Sequence, residues 1–105
     1  MNPKVKGTVN ERRSIRILED AGYRCTRAAG SLGAWDIVGV GATDVVLVQV
    51  KTGNWPRPPE METLQNFPCP AGCRKLLHLW RDWQRLPDVR EITSCECGRV
   101  STAGN

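Results

Sequence analysis

The stretch GSLGAWDIVGVGATDVVLVQVKTG, residues 30–53, decides how the chain folds. Two apolar runs, DIVGV and DVVLVQVK, flank Gly41-Ala42-Thr43, a pattern that predicts a β-hairpin over 36–51. The second run is rich in Val and nearly continuous in apolar character, as expected of a central strand covered on both faces. Two polar residues interrupt its end, Gln49 and Lys51. Lying two apart on a strand, they share one face. The start of one hairpin strand lies opposite the end of the other, so Asp36 is brought toward both.

Outward from the hairpin, residues 10–22 (NERRSIRILEDAG) read as a helix, with Asn10 as cap, Ile15 and Leu18 on one face, Glu11 in the first turn, and Gly22 as terminator. YRCTRAA, 23–29, reads as a short strand, and GSLGAW as a loop. TGNWPRPP holds three prolines and is a loop. Residues 59–67 (PEMETLQNF) read as a helix between Pro59 and Pro68, CPAGC as a turn, and KLLHLWRDW, 75–83, as a strand. LPDVREI, 86–92, is a candidate further strand. The order is αβββαβ, with an optional extra β, in one domain over 1–94. A polar tail over 95–105 is expected to be flexible.

With 105 residues the chain supports one small core. The net charge is +4, and eleven of the fifteen cations are Arg, suited to bidentate phosphate contacts. A polyanionic partner is compatible with this charge but not required by it. The segment MNPKVKGTVNERRS has no apolar signal-peptide core, and nowhere are about eighteen consecutive apolar residues found. The expectation is an intracellular, cytoplasmic protein with no membrane partner.

A divalent cation that cuts a phosphodiester needs hard oxygen ligands from neighbouring strands and a nearby Lys. Asp36, Gln49, Val50 and Lys51 meet that pattern, and polar groups interrupting a covered strand are costly without a role. Read from these residues alone, another account is open: Asp36 ends a strand, Gln49 faces solvent, and Lys51 marks the strand's exit.

These residues resemble the PD-(D/E)xK nuclease superfamily, and more closely the archaeal-type Holliday junction resolvases within it. The likeness covers most of residues 6–80. KGTVNER is similar to the family's Gly-then-Glu-Arg start, RAAGSLGAWDIVG to its Gly-Ser loop and Asp-Ile strand, VVLVQVK to its strand ending in Glu-x-Lys, and METLQNF, with Gln65, to the following helix. The resemblance implies a restriction-endonuclease-like α/β fold with an αβββαβ core, its mixed central sheet flanked by helices. It also implies a homodimer that binds branched or double-stranded DNA and cuts with Mg2+ or Mn2+, a chemistry that would suit a phage-encoded enzyme.

Carried over by position, Glu11 would complete the metal site, and Asp36 would be the principal ligand. Gln49 would stand where the second acidic ligand usually is, with Val50 beside it in the ligand set. Lys51 would be the catalytic lysine, and Ser31 would lie near the scissile phosphate. Gln49 departs from the pattern: an amide oxygen still ligates a hard cation, with less charge. Mrr-like restriction endonucleases use Gln-x-Lys here. Nicking, flap or Mrr- and VRR-like nucleases, and a binding module without activity, stay open as alternatives.

Lys6, Arg13, Arg27 and Arg57 flank this site in sequence and are the candidate DNA-binding cations. Trp55 is either a base-stacking wedge or a cover for the core edge, and Trp35 is placed to shield the metal site. Trp80 and Trp83 read as core or dimer surface. Cys25 reads as a small buried hydrophobe. Cys69-x3-Cys73 and Cys95-x-Cys97 can supply four thiolates to a structural zinc, with His78 as substitute ligand; free thiols are the default.

Overall fold

A computed structural model describes residues 3–28, 30 and 32–93, with the side chains of residues 3–6 left undescribed. Among these residues the elements are α1 (Pro3–Asp20), β1 (Arg24–Arg27), β2 (Ile37–Val40), β3 (Val45–Thr52), α2 (Pro58–Asn66), β4 (Cys73–Trp80) and β5 (Asp88–Ile92). The strands form one mixed sheet in the order β1-β2-β3-β4-β5. Neighbours are antiparallel except β3 and β4, which run parallel and are joined across the sheet through α2. The expected αβββαβ core is present, with β5 as the additional strand.

Alternation along β3 divides the core into two layers. Val46 and Val48 point to the α1 face, where they pack with Ile37, Leu76 and Leu18. Leu47 points to the other face, where Leu64 of α2 joins Trp35, Leu77 and Ile92. Each such side chain contributes roughly 1.5–3 kcal/mol when fully buried. The hairpin is held tight at its turn, where Gly41 N–H bonds Asp44 O at 2.7 Å and Tyr23 Oη donates to Asp44 Oδ2 at 2.8 Å. A Cβ on Gly39 would come within 2.9 Å of Val46 Cγ2, so only glycine fits there.

Two buried polar clusters fix the layers. On the α1 face, Ser14 Oγ accepts from Trp80 Nε1 at 2.8 Å and lies 2.9 Å from His78 Nδ1. Burial favours the neutral imidazole, and the Ser14 hydroxyl, with one proton and two lone pairs, can serve either of its tautomers at Nδ1. On the α2 face, buried Lys75 donates to the carbonyls of Leu64, Gln65 and Phe67 at 2.8, 2.9 and 2.9 Å. A charged amine thereby satisfies the open C-terminal carbonyls of α2, which the helix cannot bond itself.

Several sequence expectations are corrected. Helix α1 starts at Pro3 rather than at residue 10, so Asn10 is not its cap and Glu11 is not in its first turn. Pro at a helix start is compatible with the helical backbone. Asn10 is instead buried in mid-helix, donating to Thr52 Oγ1 at 2.9 Å and accepting from Arg13 Nη1 at 3.3 Å. Strand β4 ends at Trp80, so Trp83 leaves the sheet and is fully exposed, while Trp80 is core as expected. Cys25 is half-buried against the α1-face core rather than fully enclosed.

Candidate active site

The site forms at the end of the sheet where β2 begins and β3 finishes. The pairing Ile37↔Val48 carries Asp36 to the level of Gln49. Asp36 straddles that position: its N–H bonds Val48 O at 2.9 Å, and its Oδ2 accepts Val50 N–H at 2.8 Å. Gln49 and Lys51 follow Leu47 on the α2 face, as the alternation requires. From the α1 layer comes Glu11, held by Arg27 of β1 at 2.9 Å. Lys51 Nζ lies 3.3 Å from Glu60 Oε2, in the first turn of α2.

Electrostatics tie these groups together. Burial raises the Asp36 carboxyl above its ordinary value, the Val50 N–H opposes this, the Glu11 charge raises it further, and Lys51 and Arg27 lower it. Asp36 is thus a half-buried carboxylate that gains from a nearby positive charge. Gln49 Oε1 is buried and has no hydrogen-bond partner among the described residues. Such an orphaned acceptor costs about 1–3 kcal/mol. Trp35 Nε1, next to Asp36, is orphaned in the same way, and its ring packs edge-on to Phe67 at 5.7 Å.

An acceptor without a donor beside a partly desolvated carboxylate is what a hard cation requires of its ligands. Asp36 and Gln49 therefore offer oxygens of the kind a divalent ion binds, and Glu11 stands close enough for its charge to act on Asp36. Among the described residues no group of three or more His, Cys, Asp or Glu gathers as a metal site.

The other expected residues are distributed unevenly. Arg13 is committed within the fold: its guanidinium lies 3.9 Å over the Trp80 ring and donates to Gln84 O at 2.9 Å. Trp55 packs against the α2-face core, with the Arg90 guanidinium 4.3 Å over its ring, which is the core-edge role. Arg57 stands exposed at the N-terminus of α2. Ser31 and the Lys6 side chain lie outside the described residues. Cys69 and Cys73 sit at the far end of the sheet, and His78 faces α1 on the opposite side of β4, so it cannot join them. Cys95 and Cys97 lie outside the described residues.

Sequence reasoning missed the β4–β5 turn. It follows Trp80, which pairs with Thr52, so it stands at the Lys51 end of the sheet. Trp83 there has φ 72, the only positive φ of a non-glycine residue among those described, and is 101% exposed. Around it, Gln84 Oε1 accepts Arg81 N–H at 2.9 Å, Arg81 pairs with Asp88, and Arg13 holds the Gln84 carbonyl. Arg16 and Arg85 line a groove of about 230 Å3 beside Arg13 and Trp80. The available signal was Trp83 lying between Arg81 and Arg85 just before Pro87.

The sheet order, the parallel β3–β4 pair and the placement of both helices define a restriction-endonuclease-like fold of the PD-(D/E)xK class. Among solved structures the chain is similar to Archaeoglobus fulgidus Hjc, described as a Holliday junction resolvase from an archaeal hyperthermophile. The TM-score is 0.63 at 25% identity, over 84% of this chain and 72% of that one. This supports the resemblance to Hjc-like resolvases. No family model matches the chain, and no curated protein matches it significantly.

Proposed function

We propose that the chain is a metal-dependent endonuclease that cuts branched DNA, as the name of its structural neighbour suggests for that protein. The observation that carries this reading is the buried, unpartnered Gln49 Oε1 level with Asp36 and two residues from Lys51. Asp36 and Gln49, joined by Glu11 and the Val50 carbonyl, would hold Mg2+ or Mn2+. When bound, the ion supplies charge to the scissile phosphate and acidifies a water. Lys51 presents its ammonium on the same face, where it can orient the attacking water or steady developing negative charge. Its pair with Glu60, like that of Glu11 with Arg27, is solvent-accessible and therefore weak, so phosphate or metal can displace it.

DNA would be held by exposed cations. Arg12 and Arg16 of α1, Arg27, and Arg57 offer phosphate contacts that grip without reading sequence. Trp83, raised between Arg81 and Arg85, offers a flat face on which a base freed at a branch point can stack. A second copy of the chain would provide the paired cut that resolution of a four-way junction needs.

The test is cleavage of a synthetic four-way junction, a flap and a linear duplex, each with Mg2+, Mn2+ or chelator. Symmetric incision of the junction alone supports the resolvase reading, and flap cutting points to another nuclease of the class. Binding without incision in any metal would leave a DNA-binding module.

A further inference from the structure

The crossover from α2 to β4 ends in the turn Cys69-Pro70-Ala71-Gly72-Cys73, beside the start of β3 and at the opposite end of the sheet from Asp36. A Cys73 N–H bond to Pro70 O at 3.0 Å closes it, with Gly72 at φ 85, a conformation that glycine adopts readily. The turn folds two free, half-buried cysteines onto one another. The Cys69 thiol donates to the Cys73 carbonyl at 2.6 Å and also lies within hydrogen-bonding reach of the Cys73 thiol. Both side chains line an open cavity of about 160 Å3, with Arg74, Lys75 and Glu91 among its walls, so a small reagent can approach the sulfurs.

We propose that Cys69 and Cys73 are a redox pair, which a low-molecular-weight disulfide such as oxidised glutathione converts to an intramolecular disulfide that latches the α2–β4 crossover. The Cys73 thiolate attacks one sulfur of the reagent, forming a mixed disulfide and releasing one thiolate. Cys69 then gives its proton to solvent and attacks the Cys73 sulfur, which releases the second thiolate. The two cysteines lose two electrons and two protons. The reagent gains both and leaves as two thiols.

The surroundings assign the roles. Burial, and next the bond to Cys73, push the Cys69 thiol up to about 11, so it stays protonated until its neighbour has reacted and serves as the resolving thiol. Cys73 and Lys75 share the α2 face of β4. Burial lowers the Lys75 pKa and the charges of Cys69 and Cys73 raise it, so its ammonium is near enough to favour either thiolate. Lys75 already ties the end of α2 to β4 through three carbonyls, and the disulfide closes the same crossover covalently. Cys25, on β1 and packed on the α1 face, takes no part. The proposal does not rest on the nuclease reading.

The full chain is reduced, equilibrated in glutathione buffers of rising oxidised fraction, and alkylated, and its cysteine peptides are read by mass spectrometry. The expected result is loss of two hydrogens from the peptide that carries Cys69 and Cys73, with neither alkylated. The oxidised chain should melt about 5 °C higher, a shift that dithiothreitol reverses. Cys69→Ser should trap glutathione on Cys73 and show no such shift, with Cys25→Ser behaving as the wild type. Should Cys69→Ser fail to fold, the wild-type peptide map and melting shift decide the matter. Cys69 and Cys73 both still alkylated in the most oxidising buffer, either one joined to a different cysteine, or an oxidised chain that melts with the reduced one would each overturn the pair.

Discussion

Acidification tests how α1 is seated on the sheet, because it titrates a histidine that the fold keeps neutral. His78 is almost wholly buried against Ser14 and Trp80, and burial lowers its pKa from 6.5 to about 4. A base depressed in the folded state stabilises the fold fully above its unfolded pKa and loses that contribution as pH falls toward the folded value. Two and a half units correspond to about 3 kcal/mol, a large part of the stability of a small domain. Urea denaturation of the wild type and His78→Leu at several values from about pH 7 to about pH 4 measures it. The leucine variant leaves Ser14 and Trp80 with fewer partners, a cost that does not vary over this window. The stability difference between the two proteins should therefore shift by about 3 kcal/mol in favour of the variant as pH falls. Parallel curves would refute the reasoning.

Three further outcomes follow from other sites. Gln49→Glu places a second carboxylate opposite Asp36, roughly 5 Å away as cross-strand neighbours lie. About 3 kcal/mol of repulsion at an effective dielectric near 20, discounted for partial exposure, leaves a loss of about 1–2 kcal/mol without metal. Mg2+ should recover that loss in thermal scans, and identical melting with and without metal would contradict a shared site. Lys75→Met removes three bonds to α2 carbonyls and should cost roughly 3 kcal/mol by denaturation; a loss below about 1 kcal/mol would show that α2 needs no such cap. Trp83→Gly relieves the left-handed backbone and should raise stability by roughly 1 kcal/mol while weakening four-way-junction binding about tenfold. Unchanged junction affinity, read by fluorescence anisotropy, would remove Trp83 from the DNA surface.

The hairpin was legible because its signals are local: alternation, a short Gly-containing turn, and two polar residues at the end of a Val run. Those features placed Asp36 level with Gln49 before any tertiary contact was considered. The start of α1 was not legible, since Asn10 reads as a cap by type and only its bond to Thr52, 42 residues away, explains its burial. Lys75 looked like an ordinary strand lysine for the same reason. Its three carbonyl partners belong to a helix end brought over β4 by the crossover. Trp83 was read into the strand because an apolar pattern does not mark where pairing stops. Its exposure depends on how Gln84, Asp88 and Arg13 brace the turn.

The central claim is that Asp36 and Gln49 form a metal-dependent cutting site. Single-turnover incision of a four-way junction in Mn2+ by the wild type and by Asp36→Asn tests it most directly, because asparagine retains the acceptor for Val50 N–H while removing the charge. The account predicts incision by the wild type and a loss of about a thousandfold or more in the variant, with junction binding retained. Equal rates in the two proteins, or wild-type incision that persists in chelator, would contradict it.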